Sequence, residues 1–440
     1  MSGPPPQFRP AMLSHPPSSV RTRGDEAPGR ATGDRAVRIA HTSDWHLGRS
    51  FGEVSLRDDQ ARFCDWFVKL VGEQGCELVV IAGDIYDRAI APTESIDLFR
   101  DTVRRLLATR AKVVAITGNH DAADRVAAYS ELLDQSGLLL RGGYDRIGEV
   151  IPLPASDGPL DLVLLPFLHP QIAPDGFGTD PAARDTDEHG DSEDVDVDVL
   201  LRRRSRRTHA SVLTDAVALA RPGLTCGRSL AVAHAFVAGG AESASERRLE
   251  VGGTGQVGAE LFSGFSYTAL GHLHRPQDVP VDGGHVRYSG TPLPYSFSED
   301  HPKSVTIVDL ATDGTCTVEQ VPVPVGRAVH RISGTIDELL EPGRFPEAHN
   351  GFVQATVTDR ETVREAKARL LDVYPFVVEV RLAPVADGHG PGPAPENIRE
   401  VPPLQAVSSF WEAAEGSPPT GAVLELLTDV VATSVQAVEQ

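Results

Sequence analysis

Three apolar runs, residues 37–42, 77–82 and 112–117, each stop at a short fragment of carboxylate, amide and imidazole groups. The fragments are Asp44-Trp45-His46, Gly83-Asp84-Ile85-Tyr86-Asp87 and Gly118-Asn119-His120-Asp121. No other feature restricts the fold as much. Residues 77–82 are apolar at nearly consecutive positions, as in a strand covered on both faces. Between the runs, residues 56–71 place Phe63, Phe67 and Leu70 at helical spacing. Thr93 is positioned to cap a helix reaching about residue 108, and another helix is expected from Ala123. Strand–helix alternation of this kind implies right-handed crossovers and stacked α and β layers. The three polar fragments then share one edge of a sheet.

The second half carries two more such fragments, a lone His234 and Gly271-His272-Leu273-His274. Residues 162–167, 229–236, 267–271, 285–289, 305–310 and 316–322 read as strands separated by turn residues, so this half is mainly β. Two sheets between helical layers follow, an α/β fold of four αββα layers. Past residue 325, residues 328–336, 352–357 and 377–382 alternate like strands and 361–371 like a helix, a small α+β module. Pro384, Pro391, Pro393, Pro395, Pro402 and Pro403 mark a linker over 384–403. The tail holds two amphipathic stretches, 404–415 and 422–438, too short to form a core alone. The expected division is a disordered arm at 1–36, the main domain at 37–325, the α+β capping domain at 326–383, the linker, and a helical docking tail at 404–440.

The chain has 440 residues and a net charge of −21 at pH 7, which argues against a basic, self-sufficient nucleic-acid binder. It leaves room for a DNA enzyme whose positive charge comes from metal ions and a partner. Within residues 175–198 there are ten carboxylates and one arginine, Arg184, followed by Arg202, Arg203, Arg204, Arg206 and Arg207. The acidic run reads as a solvated insertion spanning 175–207, and DNA mimicry or autoinhibition is the functional rival. The arginine cluster reads as an exposed helix start or a DNA-backbone contact. Cys64, Cys76, Cys226 and Cys316 form no C-x-x-C pair, which fits a reduced cytosol. No secretory h-region or membrane-spanning run is visible. A cytoplasmic protein without membrane contact is expected.

The chemistry rests on residue type and spacing. Asp44 and His46, two apart at a strand's extended exit, point to one side and can share a cation. Asp84 can bridge two metals, and Asn119 is a neutral oxygen ligand. His272 and His274 again share a face. Gly83 and Gly118 let the backbone turn under a bulky cluster. Oxygen and imidazole donors without thiolate suit Mn²⁺, Fe²⁺ or Zn²⁺, with Mg²⁺ also compatible. Two such cations activate a water and clamp a phosphate. Each fragment alone is common by chance, and ordered joint occurrence after apolar runs is what carries the reading. His169, His189, His285 and His301 fall outside the pattern and keep an ordinary structural role.

At these residues the chain resembles the calcineurin-like metallophosphoesterase superfamily, whose pattern is D-x-H, G-D-x-x-D, G-N-H-[DE], H and G-H-x-H. It is more similar still to the SbcD family of bacterial DNA exonuclease subunits. The supporting strings run from His41 to Gly48, Gly83 to Arg88 and Gly271 to Gln277, with Tyr288-Ser289-Gly290-Thr291-Pro292 and Lys303-Ser304-Val305. The resemblance implies that Asp44, His46, Asp84 and His274 hold one metal, and that Asp84, Asn119, His234 and His272 hold the other. It makes His120 the catalytic histidine, with Asp121 supporting it and Asp87 structural. It implies two divalent ions, Mn²⁺ foremost, exonuclease action on double-stranded DNA ends and nicking of hairpins. It also implies an SbcC-type coiled-coil ATPase partner and a homodimer within a heterotetramer. Phe410, Trp411, Leu424, Leu426 and Leu427 face that partner or pack on the chain's own body. The rival functions are a small-substrate phosphodiesterase or phosphatase of the same superfamily, and a non-catalytic scaffold.

Overall fold

A computed structural model describes residues 36–178, 207–243, 245–246, 255–361, 363–383 and 403–438. The expected arm, the linker through residue 402, His189 and the body of the acidic insertion, including Arg202 to Arg206, lie outside the described residues.

Two six-stranded sheets stack face to face. The first has the order Cys316–Pro322, Ser304–Leu310, Val37–Thr42, Leu78–Ala82, Lys112–Ile116, Leu138–Arg141. Its last four strands run parallel, and the hairpin formed by the first two lies antiparallel beside Val37–Thr42. The second has the order Gln277–Val279, His285–Tyr288, Tyr267–Gly271, Ser229–His234, Gly158–Leu165, Val150–Ala155. It is parallel at its centre and antiparallel at both edges.

Strand alternation divides the apolar side chains between layers. Leu78, Val80 and Ala82 face the second sheet, where Leu162, Leu230 and Val232 meet them. Val79 and Ile81 face the other way, onto Phe63 and Phe67 of helix Arg57–Gln74 and Leu106 of helix Thr93–Ala108. On the far side of the second sheet, Ala231 and Ala233 meet Val212, Leu213 and Val217 of helix His209–Ala220. Helix, sheet, sheet and helix therefore form four layers. Thr93 begins its helix instead of capping it, because Pro92 takes the cap position with extended backbone. The helix at Ala123 ends at Val126, and among the described residues of 361–371 the helix covers Ala366–Leu371.

Val329–Gly334, Phe352–Val357 and Val377–Leu382 form a separate parallel sheet around Ile332, Leu339, Val353, Leu370 and Tyr374. It is fastened to the larger body at Phe352, which packs with Phe51, Leu56, Tyr295 and Phe297. Arg327 reinforces this joint. It pairs with buried Asp59 and lies 4.9 and 4.2 Å over the Phe352 and Phe376 rings. Helices Pro403–Glu415 and Ala422–Val438 follow, with Phe410, Leu424 and Leu426 exposed and Trp411 and Leu427 partly buried. No helix among the described residues is long and apolar enough to cross a membrane.

Candidate metal centre

The ligand-bearing fragments leave their strands at one edge of both sheets and converge there. Asp44, His46 and His274 bring donor atoms within 4.8 Å of one another, as do Asp44, Asp84 and His234, and His46, Asp84 and His120. The Asn119 amide oxygen joins the two remaining histidines, 2.9 Å from His234 Nε2 and 3.2 Å from His272 Nδ1. All seven proposed ligands and His120 are thus gathered. The grouping also puts His120 within ligand reach of His46 and Asp84.

The backbone that presents them is not the extended exit expected from spacing. Asp44, His46, Asp84 and His272 have φ of 53°, 44°, 48° and 108°, the left-handed region that side chains with a Cβ disfavour. Cross-loop bonds hold this conformation. Asp44 N donates to Gly83 O and His46 N to Asp84 O, both at 3.0 Å. Trp45 turns the opposite way, into Phe63, Phe67 and Phe99, so Asp44 and His46 still share the site. Gly118 matters through close approach and not through a turn, since a Cβ there would lie 2.1 Å from Asp84 Oδ1. Gly83 answers to both causes, with φ of 90° and its Cβ position 2.2 Å from His234 Nδ1.

The electrostatics suit a cation. Burial and then the charge of Asp84 push the Asp44 carboxyl well above the usual range. Burial, followed by neighbouring imidazoles, holds His46 and His272 well below theirs. Burial also lowers His234. These rings are therefore neutral at pH 7 and ready to ligate. Both ring nitrogens of buried His46 lack a hydrogen-bond partner among the described residues. Orphaned buried donors beside repelling carboxylates are what a divalent ion would satisfy, and the donor set of oxygen and imidazole fits one.

Supporting contacts set the tautomers. His234 Nδ1 donates to Ala82 O at 2.9 Å, leaving Nε2 for the site. His120 Nδ1 lies 2.8 Å from Asp87 O and its amide donates to Asp84 Oδ1 at 2.9 Å. The contact expected from Asp121 to the His120 ring is thus made by the Asp87 carbonyl. Asp121 instead accepts from three amides, Ile85 N at 3.0 Å, Tyr86 N at 2.9 Å and Gly118 N at 2.9 Å. The Asp87 carboxylate lies 3.2 Å from Arg49 and 3.7 Å from His46 Nδ1.

Compared with known families, residues 37–216 match the calcineurin-like phosphoesterases, and residues 325–415 match the type 5 capsule protein repressor C-terminal domain. The SbcD component of the SbcCD nuclease of Bacillus subtilis (strain 168) is 31% identical over 86% of this chain and 94% of its own length. The chain belongs to the SbcD family. The equivalent component from Staphylococcus saprophyticus is 26% identical over 77% of this chain and 83% of its own length.

Sequence reasoning missed several residues around this SbcD-family site. Buried Glu299 accepts from His274 Nδ1 at 3.1 Å, and its other oxygen takes Lys303 and Thr291. Its signal in the sequence is slight, one of two adjacent carboxylates and four residues before Lys303. Gln60 donates to His46 O at 2.8 Å, and Tyr295 donates to Trp45 O at 2.6 Å. Of the histidines set aside, His285 pairs with Asp278 at 2.9 Å and His301 lies 3.3 Å from His274 O. Arg207, at the end of the arginine cluster, is buried and donates to Ala173 O.

Proposed function

We propose that this chain is the nuclease subunit of an SbcCD-type complex, a hydrolase of DNA phosphodiester bonds using two divalent ions, Mn²⁺ foremost. The observation that carries the reading is the convergence of a complete donor set with one further histidine, His120, at the edge of the sandwich. Asp44, His46, Asp84 and His274 would hold one ion, and Asp84, Asn119, His234 and His272 the other. Bound there, the ions supply Lewis acidity at the phosphate and lower the pKa of a water.

The chain's own groups do the rest. His120 donates Nδ1–H to the Asp87 carbonyl, which can only accept. Its Nε2 faces the reaction, where the doubly protonated ring would protonate the departing oxygen or offset charge on the transferring phosphoryl group. Asp121 fastens the loops bearing Asp84 and Asn119 to each other. Family membership supports exonuclease action on duplex ends, nicking of hairpins and an SbcC-type coiled-coil ATPase partner in the cytoplasm. Exposed Phe410, Leu424 and Leu426 support docking of that partner on the tail. Residues 326–383 cap the body through Phe352 and Arg327. Homodimerisation is supported by an apolar groove of about 570 Å³ lined by Ile90, Ile96, Phe99, Val103, Tyr129 and Leu133.

Purified protein with Mn²⁺ is offered linear duplex DNA, a hairpin and bis-p-nitrophenyl phosphate, with and without the ATPase partner. DNA should be cut, and His120→Ala should slow cutting about 10²–10⁴-fold while titrating with Mn²⁺ like the wild type. Hydrolysis of the small ester but never of DNA would sink the nuclease reading.

A further inference from the structure

Two phenylalanines stand at the metal-bearing edge outside the ligand set. Phe167 follows strand Gly158–Leu165, and its amide donates to Thr117 O at 2.9 Å. Phe236 comes two residues after His234. Both residues are only partly buried, and Phe236 packs against the apolar cluster on the far side of the second sheet. Among the described residues, Phe167 belongs to none of the apolar clusters that fill the layers. Its ring neighbours are histidines instead: His209 stacked at 5.1 Å and 22°, with His169 at 6.3 Å and His234 at 6.5 Å, both edge-on. Phe236 lies 6.1 Å from the His272 ring, tilted by 40°. The His234 and His272 rings are themselves 5.4 Å apart. The two apolar rings therefore flank the two imidazoles expected to hold one ion.

The plane of Phe167 is fixed from behind. His209 is the first residue of helix His209–Ala220, is buried, and lies with Nδ1 3.2 Å from Leu168 O. It stacks on one face of Phe167 and leaves the ring partly exposed. An apolar ring kept out of the core and beside a phosphate-handling centre adds little to folding, since the burial gain scales with apolar area removed from water. It offers what carboxylates and imidazoles lack, a flat apolar surface 6.5 Å from the His234 ring. Aromatic rings stack on bases without regard to sequence.

We propose that Phe167 is a stacking platform for the nucleobase adjoining the scissile phosphate, with Phe236 marking the far side of the His234–His272 pair. The inference rests on the nuclease reading and names how that site recognises nucleic acid over a bare phosphoester. The test uses full-length protein with Mn²⁺ and duplexes carrying 2-aminopurine next to the cleaved bond, and compares Phe167→Ala, Phe167→Leu and Phe167→Trp with the wild type. The wild type should quench 2-aminopurine on binding, and Trp should keep the quench while Ala and Leu lose it. The ratio of kcat/KM on DNA to that on bis-p-nitrophenyl phosphate should fall about ten-fold in Ala and Leu and recover in Trp. Leu keeps an apolar side chain, so a folding defect in Ala does not decide the matter. An unchanged ratio and quench in Leu, with DNA still cut, would overturn the platform alone. A wild type that never cuts DNA would overturn the platform and the nuclease reading together.

Discussion

Replacing Glu299 by Gln should weaken metal binding and folding by separable amounts. The carboxylate accepts on both oxygens, His274 Nδ1 at 3.1 Å on one side, Thr291 Oγ1 at 3.0 Å and Lys303 Nζ on the other. Burial favours its neutral form, but Lys303 and His274 more than offset this and hold the carboxyl below its usual range. A glutamine of the same shape has one accepting oxygen and one donating amino group, so one side must now face donor against donor. If the amino group faces His274, the ring loses its carboxylate contact and keeps only Ser245 Oγ, 2.7 Å from Nδ1, to aim its free nitrogen at the site. Loss of such a contact lowers metal affinity about 10–100-fold, or about 1.4–2.8 kcal/mol. Independently, the Lys303 ammonium, whose side chain is only 9% exposed, loses its counter-charge. Breaking a buried pair from one side costs about 3–5 kcal/mol. Calorimetric titration of the metal-free protein with Mn²⁺ measures the first effect, and urea denaturation of the same protein measures the second. Glu299→Gln combined with Lys303→Met should recover most of the stability and none of the affinity. Wild-type affinity in the single variant, or recovery of affinity along with stability in the double one, would refute the reasoning.

Gly118→Ala should abolish stable metal binding, because the new Cβ would sit 2.1 Å from Asp84 Oδ1 and 2.4 Å from Asp84 N. An affinity within ten-fold of the wild type, measured by metal content after dialysis, would contradict this. Acid should destabilise the protein from pH 6.5 downward, in part through His41, whose pKa burial and then Arg287 lower to about 3. The unfolded chain binds this proton near pH 6.5 and the folded one does not, so stability is lost as pH falls across that window. His41→Asn should flatten the slope by up to about 1.4 kcal/mol per pH unit, and equal slopes in urea titrations at pH 6.5 and 5 would count against it. Ile90, 71% exposed beside the apolar groove, should when changed to Asp shift the mass seen by light scattering towards the monomer. Stability should stay within about 0.5 kcal/mol, and an unchanged mass would argue that this face is not the dimer contact.

What the sequence made legible follows from burial on two faces. Leu78–Ala82, Ser229–His234 and Tyr267–Gly271 are buried at every position, so they read as unbroken apolar runs and the polar residue at each end stands out. Edge strands lack that contrast. Val150–Ala155 contains Pro152 and Pro154, and only its place at the sheet's rim lets it pair despite them. Gln277–Val279 is too short to register, and Leu138–Arg141 is a four-residue rim strand just behind Gly137. The proposed ligand positions were visible because their chemistry is rare in combination. Their left-handed backbone was not, since neither Asp44 nor His46 advertises a positive φ. Glu299, Gln60 and Tyr295 stayed hidden because each meets the site from a different element, with no local pattern to mark it.

The left-handed conformation at Asp44, His46, Asp84 and His272 has a consequence for how this protein can change. Such a backbone costs on the order of 1–3 kcal/mol per residue, and it falls on side chains that are buried and, at His46, without a hydrogen-bond partner among the described residues. Without metal, the residues the reaction needs are ones the fold would be better off losing. Glycine at His46 would relieve both the φ of 44° and the two orphaned nitrogens. Screening for thermal resistance alone would therefore favour dismantling the site, and a variant of this chain that melts later must be assayed for cleavage before it is called improved.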